Sequence, residues 1–520
     1  MIGSRGAVAT SQPLAAQVGM SILQAGGTAT DAAIATAIAL TVVEPTSNGL
    51  GSDAFALVWA EGNLHGLNAS GRAPGAATLA EYCGAGYSSV PDLGWLPVTV
   101  PGAISAWVEL HERFGRLSFA SLFEPAIALA ERGFPVSPVV AKFWSLAAQR
   151  YSTTATGPEF AGWLPTFAPT GAAPRVGEVV RLPDHARSLR EIAASGGRSF
   201  YQGRLADVID TFSRATGGLL RAVDLAAHRP EWVDPIGTNY RGFDVWEIPP
   251  NGQGISALAA LNILEGFNFD EGAFEDPLTW HLQIEAMKLA FADTAAYVSD
   301  PAQVAVPAAG MIDKTYAAQR RTLITDEASN PAAGDPARGG TVYLCAADSD
   351  GQMVSFIQSN YQGFGSGIVV PGTGIALQNR GANFSLDPTH PNALAPGKRP
   401  YHTIIPGFLT RADQAVGPFG VMGGFMQPQG HVQVVMRTVD QQLHPQAVLD
   451  APRWCWQQGR TVWIESRTPE TIVNDLRGRN HDVKLIAEPA AFGRGQIIWR
   501  MGDALIAGSE SRADGQALVW

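Results

Sequence analysis

The chain has 520 residues, 46% of them hydrophobic, with 36 Lys plus Arg against 47 Asp plus Glu and a formal net charge of -11. That length suits two ordinary domains or one large layered unit, and an acidic balance without a basic run excludes the phosphate-tracking surface of a nucleic-acid binder. Cys83, Cys345 and Cys455 are too few and too scattered for a disulfide framework or a CxxC metal site.

Residues 1–20 contain no sustained apolar core of a secretory leader, so the expected location is the cytoplasm. From Gly26 to Val43 the text GGTATDAAIATAIALTVV predicts a helix capped by Thr28 or Thr30 and apolar all round, hence buried. Its apolar run, Ala32 to Val43, falls short of the ~20 residues that a membrane span needs. No membrane partner is expected. Thr46 to Trp59 reads as a Gly-rich turn feeding a core strand, and Leu64 to Leu67 as another strand before the turn Asn68 to Pro74. Helical spacing follows from Leu117 to Arg132, from Pro183 to Ala194 and from Leu278 to Ala292.

The last of these helices sets His281 and Glu285 four apart on one face, a spacing that suits a metal. With no third ligand nearby in the chain, a solvated or core-edge helix face is favoured, and no metal or organic cofactor is expected. Between Thr325 and Gly340 large apolar side chains almost vanish, which predicts an exposed, mobile linker. At Thr341 the period switches to two, giving a β-hairpin through Asp348-Ser349-Asp350-Gly351 to Ser359, and short strands divided by Gly-Pro turns are expected from there to the end. No internal repeat of fixed period is present.

The commoner hydrolase signatures are missing: there is no GxSxG, HExxH or Walker A motif and no Cys/His cluster. Gly363, Gly365 and Gly367 form a GxGxG run, but it follows a hairpin strand outside any βαβ unit, so nucleotide binding is a weak reading. What remains is Thr341, preceded by Gly339 and Gly340 and opening a hairpin. A hydroxyl there can attack the Gly340 carbonyl, with two glycines admitting the backbone geometry this needs. Cleavage would free an α-amino group of unperturbed pKa about 7.7–8.0, a base beside its own hydroxyl. On spacing alone, an ordinary Gly-Gly linker before a strand fits better.

The longer motifs change that balance. GGTVYLCAADSDG (339–351) and FIQSNYQGFGSGIVVPGTGIALQNRG (356–381), with GMSILQAGGTATDAA, VVEPTSNGLGSDAFALVW, YRGFDVWEIPPNGQG, PGKRPYHTIIPGF and MGGFMQPQGHVQ, resemble the γ-glutamyltransferase family over nearly the whole chain. The forms SNGLGSDAF, NASGRAP and GKRPYHTIIP are similar to its intracellular branch, named glutathione hydrolase-like, which also includes oxamate amidohydrolases. The resemblance implies an α+β fold, a four-layer αββα sandwich of the N-terminal-nucleophile type, made as one proenzyme. Its large chain would be 1–340 and its small chain 341–520, both in one unit, and a homo-oligomer is compatible with it. It implies Thr341 as nucleophile, Ser359 as the hydroxyl beside it where the family usually has Thr, and Gly423 and Gly424 as the oxyanion-hole pair. Arg72 falls on the arginine that holds a substrate carboxylate, and Tyr361, Arg380, Asn383, His402 and Thr403 fall on the substrate pocket.

Departures from the family pattern concern that pocket. Asn383 replaces an aspartate that pairs with the γ-glutamyl α-ammonium, Arg380 stands where a neutral amide is common, and His402-Thr403 replace two serines. The segment Leu386 to Gly397 looks shorter than the family's lid loop, so an open pocket is expected. The reaction implied is acyl transfer from a carboxylate-bearing small-molecule amide to Thr341, with γ-glutamyl transfer or glutathione hydrolysis first and oxamate or glutaryl amide hydrolysis as the alternative. A non-catalytic scaffold is the remaining alternative, against which Thr341, Gly423 and Gly424 together argue.

Overall fold

The computed structural model describes residues 1–269, 276–330 and 340–520. Two antiparallel seven-stranded sheets form its centre. Sheet I runs Gln516–Val519, Gly6–Thr10, Gly340–Asp348, Met353–Tyr361, Asp53–Ala60, Asn63–Asn68, Glu231–Val233. Sheet II runs Ile2–Gly3, Ala504–Ser509, Arg494–Met501, Gln414–Met422, Gly407–Arg411, Phe243–Glu247, Ile236–Tyr240. Each sheet mixes strands from before and after the Gly340–Thr341 bond, so the two segments share one core.

Alternation along single strands builds the layers. In Gly340–Asp348, the side chains of Val342, Leu344 and Ala346 join the core under the helices Pro13–Gln24 and Ala29–Val43, whereas Tyr343, Cys345 and Ala347 join the core between the sheets. Sheet II does the same: Ile498 faces the inter-sheet core, and Ile497 faces a third core with the helices Gly254–Leu264, Pro277–Tyr297 and Met426–Val439. Helix, sheet, sheet, helix is the αββα order that the resemblance implies.

All fifteen residues of Ala29–Val43 are buried, and Thr28 caps the helix in a reciprocal box with Asp31, so the Ala/Ile-rich text reads correctly. The expected helix 117–132 is broken into a 3-10 turn Phe119–Phe123 and a helix Glu124–Arg132, because Pro125 lacks an N–H and fits only a first turn. The region after the hairpin also departs from the all-strand expectation. It contains the helices Met426–Val439, Pro445–Asp450 and Glu470–Gly478, the first of which carries Pro428 and Gly430 in its opening turns, residues that argue against a helix in the sequence.

Part of the expected linker is docked instead of exposed. His281 Nε2 bonds the Thr325 carbonyl at 2.7 Å, Ser329 N donates to Glu285 at 3.0 Å, Lys288 Nζ donates to Ser329 O at 3.0 Å, and Ala328 N donates to Arg479 O at 2.7 Å. The rest of that expectation, 331–339 with Gly339, lies outside the described residues.

Candidate active site at the Gly340–Thr341 junction

The hairpin begins irregularly. Gly340 pairs with Tyr361 and Val342 with Gln358, so Thr341 alone faces Ser359 and Asn360. Such a bulge re-aims a side chain. Here it brings Thr341 Oγ1 to 3.1 Å from Ser359 Oγ, with both residues at 1% exposure or less. Tyr361 N donates to Ser359 Oγ at 2.7 Å, which fixes that hydroxyl. Tyr361 itself has φ +75°, an unfavourable backbone for a residue with a Cβ, placed directly beside the bond in question.

Beside this pair lies a buried cluster around a cation. The Arg380 guanidinium lies over the Tyr361 ring at 4.4 Å and donates from Nη1 to Thr403 Oγ1 at 2.6 Å. Its Nε and Nη2 have no hydrogen-bond partner, although the residue is 0% exposed. The nearest anion, Asp53 Oδ2, is 3.6 Å from Nε. Asp53 is opposite Ser359 in the sheet, accepts from Gly71 N at 3.2 Å, and lies 3.0 Å from His402 Nε2. Burial pushes the Asp53 carboxyl up to about 7 in spite of the neighbouring guanidinium, and burial lowers Arg380 only to about 10, so Arg380 stays a cation at neutral pH. Burial, with Arg380 and Arg399 beside it, holds His402 well below its usual range and therefore neutral.

The glycine-rich run 363–367 serves this pocket as a turn. Gly365 has φ +78°, and a Cβ there would meet Leu377 O at 2.3 Å, so the chain can fold back only with glycine. The returning segment places the 3-10 turn Arg380–Asn383 against the hairpin, tied by Asn379 N to Asn360 O at 3.1 Å. Asn383 Nδ2 donates to Tyr401 O at 3.1 Å. Across the junction, Gly423 and Gly424 have φ +138° and +61° between the end of strand Gln414–Met422 and the first turn of helix Met426–Val439. Gln253 Nε2 joins them to the pocket by donating to both Gly424 O, at 2.9 Å, and Thr403 O, at 2.6 Å.

Arg72 is placed differently. Its guanidinium donates to Asp300 at 3.1 Å, Gly397 O at 3.1 Å and Glu231 at 2.9 Å. Two carboxylates already balance it. The short segment 386–397 folds back on itself, with Ser385 N donating to Asn392 O at 3.0 Å and Leu394 N to Ser385 O at 2.9 Å. Asp53 and Gln253 were not singled out by sequence reasoning. Asp53 carried a signal, an acid directly after the Gly-Ser turn and at the head of an apolar strand.

His281 and Glu285 are buried, not on a solvated face, and a third candidate ligand, His481, comes from far along the chain to lie with them. Glu285 Oε1 is already met by Lys288 Nζ at 2.7 Å, and His281 Nδ1 lies 2.9 Å from His481 Nε2. The cluster is an internal network holding residues 325–329.

Residues 15–520 match the family model described as gamma-glutamyltranspeptidase. The glutathione hydrolase-like YwrD proenzyme of Bacillus subtilis is 35% identical over 533 aligned positions, covering 100% of this chain and 99% of that protein. The oxamate amidohydrolase proenzyme of Klebsiella pneumoniae is 36% identical, covering 99% of this chain and 98% of its own. Among solved structures, a cephalosporin acylase from Bacillus halodurans superposes with a TM-score of 0.97 at 57% identity, over 100% of this chain and 96% of that one. The chain therefore belongs to the γ-glutamyltranspeptidase family, enzymes of the N-terminal-nucleophile hydrolase architecture.

Proposed function

We propose that the chain cuts itself between Gly340 and Thr341 and that the freed Thr341 then hydrolyses or transfers the acyl half of an amide whose acyl group ends in a carboxylate. In the first step Thr341 Oγ1 attacks the Gly340 carbonyl carbon, the C–N bond breaks, and the nitrogen takes a proton. Water then hydrolyses the ester, leaving a Gly340 carboxylate and a free Thr341 α-amino group. In turnover that amine accepts the Oγ1 proton as Oγ1 attacks the substrate carbonyl, and the N–H groups of Gly423 and Gly424 receive the oxyanion. The amine then returns the proton to the leaving nitrogen, and water or an acceptor amine resolves the Thr341 ester. Nucleophile, base and oxyanion donors all come from the chain, so no metal or organic cofactor enters a step.

The observation that carries the reading is Arg380: a fully buried cation with two unmet donors, stacked on Tyr361, whose N–H donates to the Ser359 hydroxyl beside Thr341. A buried cation is costly unless an anion meets it. Arg380 is accordingly assigned the substrate carboxylate, and Arg72, already paired with Asp300 and Glu231, a supporting position at the loop. Names among the relatives span glutathione hydrolase, oxamate amidohydrolase and cephalosporin acylase, and the pocket chemistry supports the acid-bearing acyl group common to these readings. The test is a denaturing gel with N-terminal sequencing, followed by assay of γ-glutamyl and glutaryl amides. Two fragments, one beginning at Thr341, and turnover of at least one amide are expected. A single uncut chain that is nevertheless active would overturn the proposal.

A further inference from the structure

Gln253 is fully buried and ties together separate parts of the site. It directly precedes the helix Gly254–Leu264, and its main chain is bound to the segment 401–403, with Gln253 N donating to His402 O at 3.0 Å and His402 N to Asn251 O at 2.9 Å. Its side-chain nitrogen donates to Thr403 O at 2.6 Å and to Gly424 O at 2.9 Å, and the Tyr401 hydroxyl donates to its Oε1 at 3.2 Å. Backbone carbonyls only accept, so the amide nitrogen must face Thr403 and Gly424, and both of its N–H groups are used. Thr403 is also met through its side chain, where Arg380 Nη1 donates to Oγ1 at 2.6 Å. One chain of contacts thus runs from Arg380 through Thr403 and Gln253 to Gly424.

We propose that Gln253 is a positioning residue for the reaction: it fixes the Gly423–Gly424 loop against the cluster that takes the acyl carboxylate, and so sets where the oxyanion donors stand over a bound substrate. This rests on the function proposed above. A pair of glycines is the segment least able to hold its own conformation, since neither has a Cβ, and both have positive φ here, +138° and +61°. A hydrogen bond to the Gly424 carbonyl supplies the restraint that side-chain sterics cannot. The helix that follows has a tie of its own, Ile405 N donating to Gln427 Oε1 at 2.9 Å. Loss of the Gln253 amide therefore loosens the glycine loop while the helix Met426–Val439 stays docked. Oxyanion donors act by being in place before charge develops, so the cost of that loosening falls on the chemical step. Binding of the acid is separate, because the Arg380 donors left to meet it do not involve Gln253. Gln253 thus acts on kcat, and Arg380 on affinity for the acid.

The test is Gln253→Met, which keeps the length of the side chain and removes both donors, assayed on glutaryl anilide with glutarate as competitive inhibitor. The variant should still be cut at Thr341, because cutting acts on the Gly340 carbonyl, whereas the Gln253 amide holds Thr403 and Gly424. Its kcat per cut chain should fall by about 10–100-fold, the scale of a misplaced oxyanion donor, while the inhibition constant of glutarate stays within about twofold of wild type. Unchanged kcat, a glutarate constant weakened as much as kcat falls, or a chain that stays uncut would each overturn the inference. If Gln253→Met does not fold, Tyr401→Phe decides the matter. That variant keeps the ring stacked on Phe425 and removes only the hydroxyl that orients the amide. It should lower kcat by about 2–10-fold with the glutarate constant unmoved, and a kcat equal to wild type would overturn the inference. A wild type that is cut but turns over no acid-bearing amide would instead refute the function proposed above, and this inference with it.

Discussion

Two of the buried clusters of ionisable side chains in this molecule are finished to different degrees. In the His281–Glu285–Lys288–His481 cluster, Glu285 is met by the Lys288 ammonium and by Ser329 N, both histidines are held neutral mainly by burial, and Lys288 reaches a carbonyl as well. Only Nδ1 of His481 goes without a partner. In the Asp53–Arg380–His402 cluster a full positive charge keeps two donors unmet, and its carboxylate neighbour is pushed upward by burial. The first cluster closes on itself and holds a segment of chain. The second leaves two donors open, and on the function proposed above an incoming carboxylate would meet them.

The largest test of this contrast is Thr341→Ala, which removes the oxygen that both steps use. The protein should remain a single chain on a denaturing gel and lose activity by about 10³-fold or more, whereas Thr341→Ser should still be cut. Fragments appearing in the alanine variant would mean that Thr341 is not the nucleophile.

Substitution of the two cations should then separate function from stability. Arg380→Ala should lower kcat/KM for acid-bearing amides by about 10–150-fold, the equivalent of about 1.5–3 kcal/mol for a charge-assisted contact, with a smaller loss of melting temperature than Lys288→Met because two of its donors are already unmet. Lys288→Met should do the reverse. It strands Glu285 at 1% exposure and should destabilise the fold by about 3–5 kcal/mol, while the protein that stays folded keeps its KM. The two clusters would have to be reassigned if Arg380→Ala mainly lowered the melting temperature and Lys288→Met mainly raised KM.

Much of this arrangement was legible in the sequence, and the exceptions share a cause. The helix Ala29–Val43, the strand Asp53–Ala60 and the hairpin from Gly340 to Tyr361 follow from caps and periodicity, which are local. The Thr341–Ser359 pairing was implied by the family resemblance, and the hairpin brings the two hydroxyls together. Contacts closed across hundreds of residues left no local trace: His481 joining His281, Asp53 joining His402, and Asp300 and Glu231 neutralising Arg72. The helix Met426–Val439 escaped for another reason, since Gly423, Gly424, Pro428 and Gly430 at its start read as turn residues.

Asp53 sharpens the comparison through pH. Its carboxyl titrates near 7 in the folded protein against an ordinary value of 3.8, so between those values the folded state binds the extra proton. Its contribution to stability is therefore greatest at low pH and declines as pH rises from about 4 to about 7. Binding follows the same direction: below about 7, Asp53 is neutral and Arg380 is uncompensated, and above it the Asp53 carboxylate competes with a ligand acid. The dissociation constant of glutarate, measured as a competitive inhibitor so that the Thr341 amine is not involved, should rise by about tenfold from pH 6 to pH 8. Asp53→Asn should flatten this dependence, and a wild type that is itself flat would show that Asp53 does not titrate against Arg380.

The smallest expected effect concerns Asn383, where charge has been removed from the acyl end. Its Nδ2 is committed to Tyr401 O at 3.1 Å, which leaves its carbonyl oxygen as the only polar atom it can turn toward a substrate ammonium. One neutral hydrogen bond offers no compensating charge, and the nearby Arg380 cation opposes an ammonium. A γ-glutamyl amide and the glutaryl amide that lacks only the amino group should therefore have kcat/KM values within about tenfold of each other, equivalent to less than about 1.4 kcal/mol. Asn383→Asp should shift the ratio toward the γ-glutamyl compound, since a carboxylate there would meet the ammonium while competing with the shared acid for Arg380. Progress curves for both anilides, run side by side on wild type and variant after confirming that each is cut, give the ratio directly. A wild-type preference of a hundredfold or more for the amino-bearing donor would require another acid at this end of the pocket, and Asp53, the carboxylate nearest Arg380, would be the first to replace.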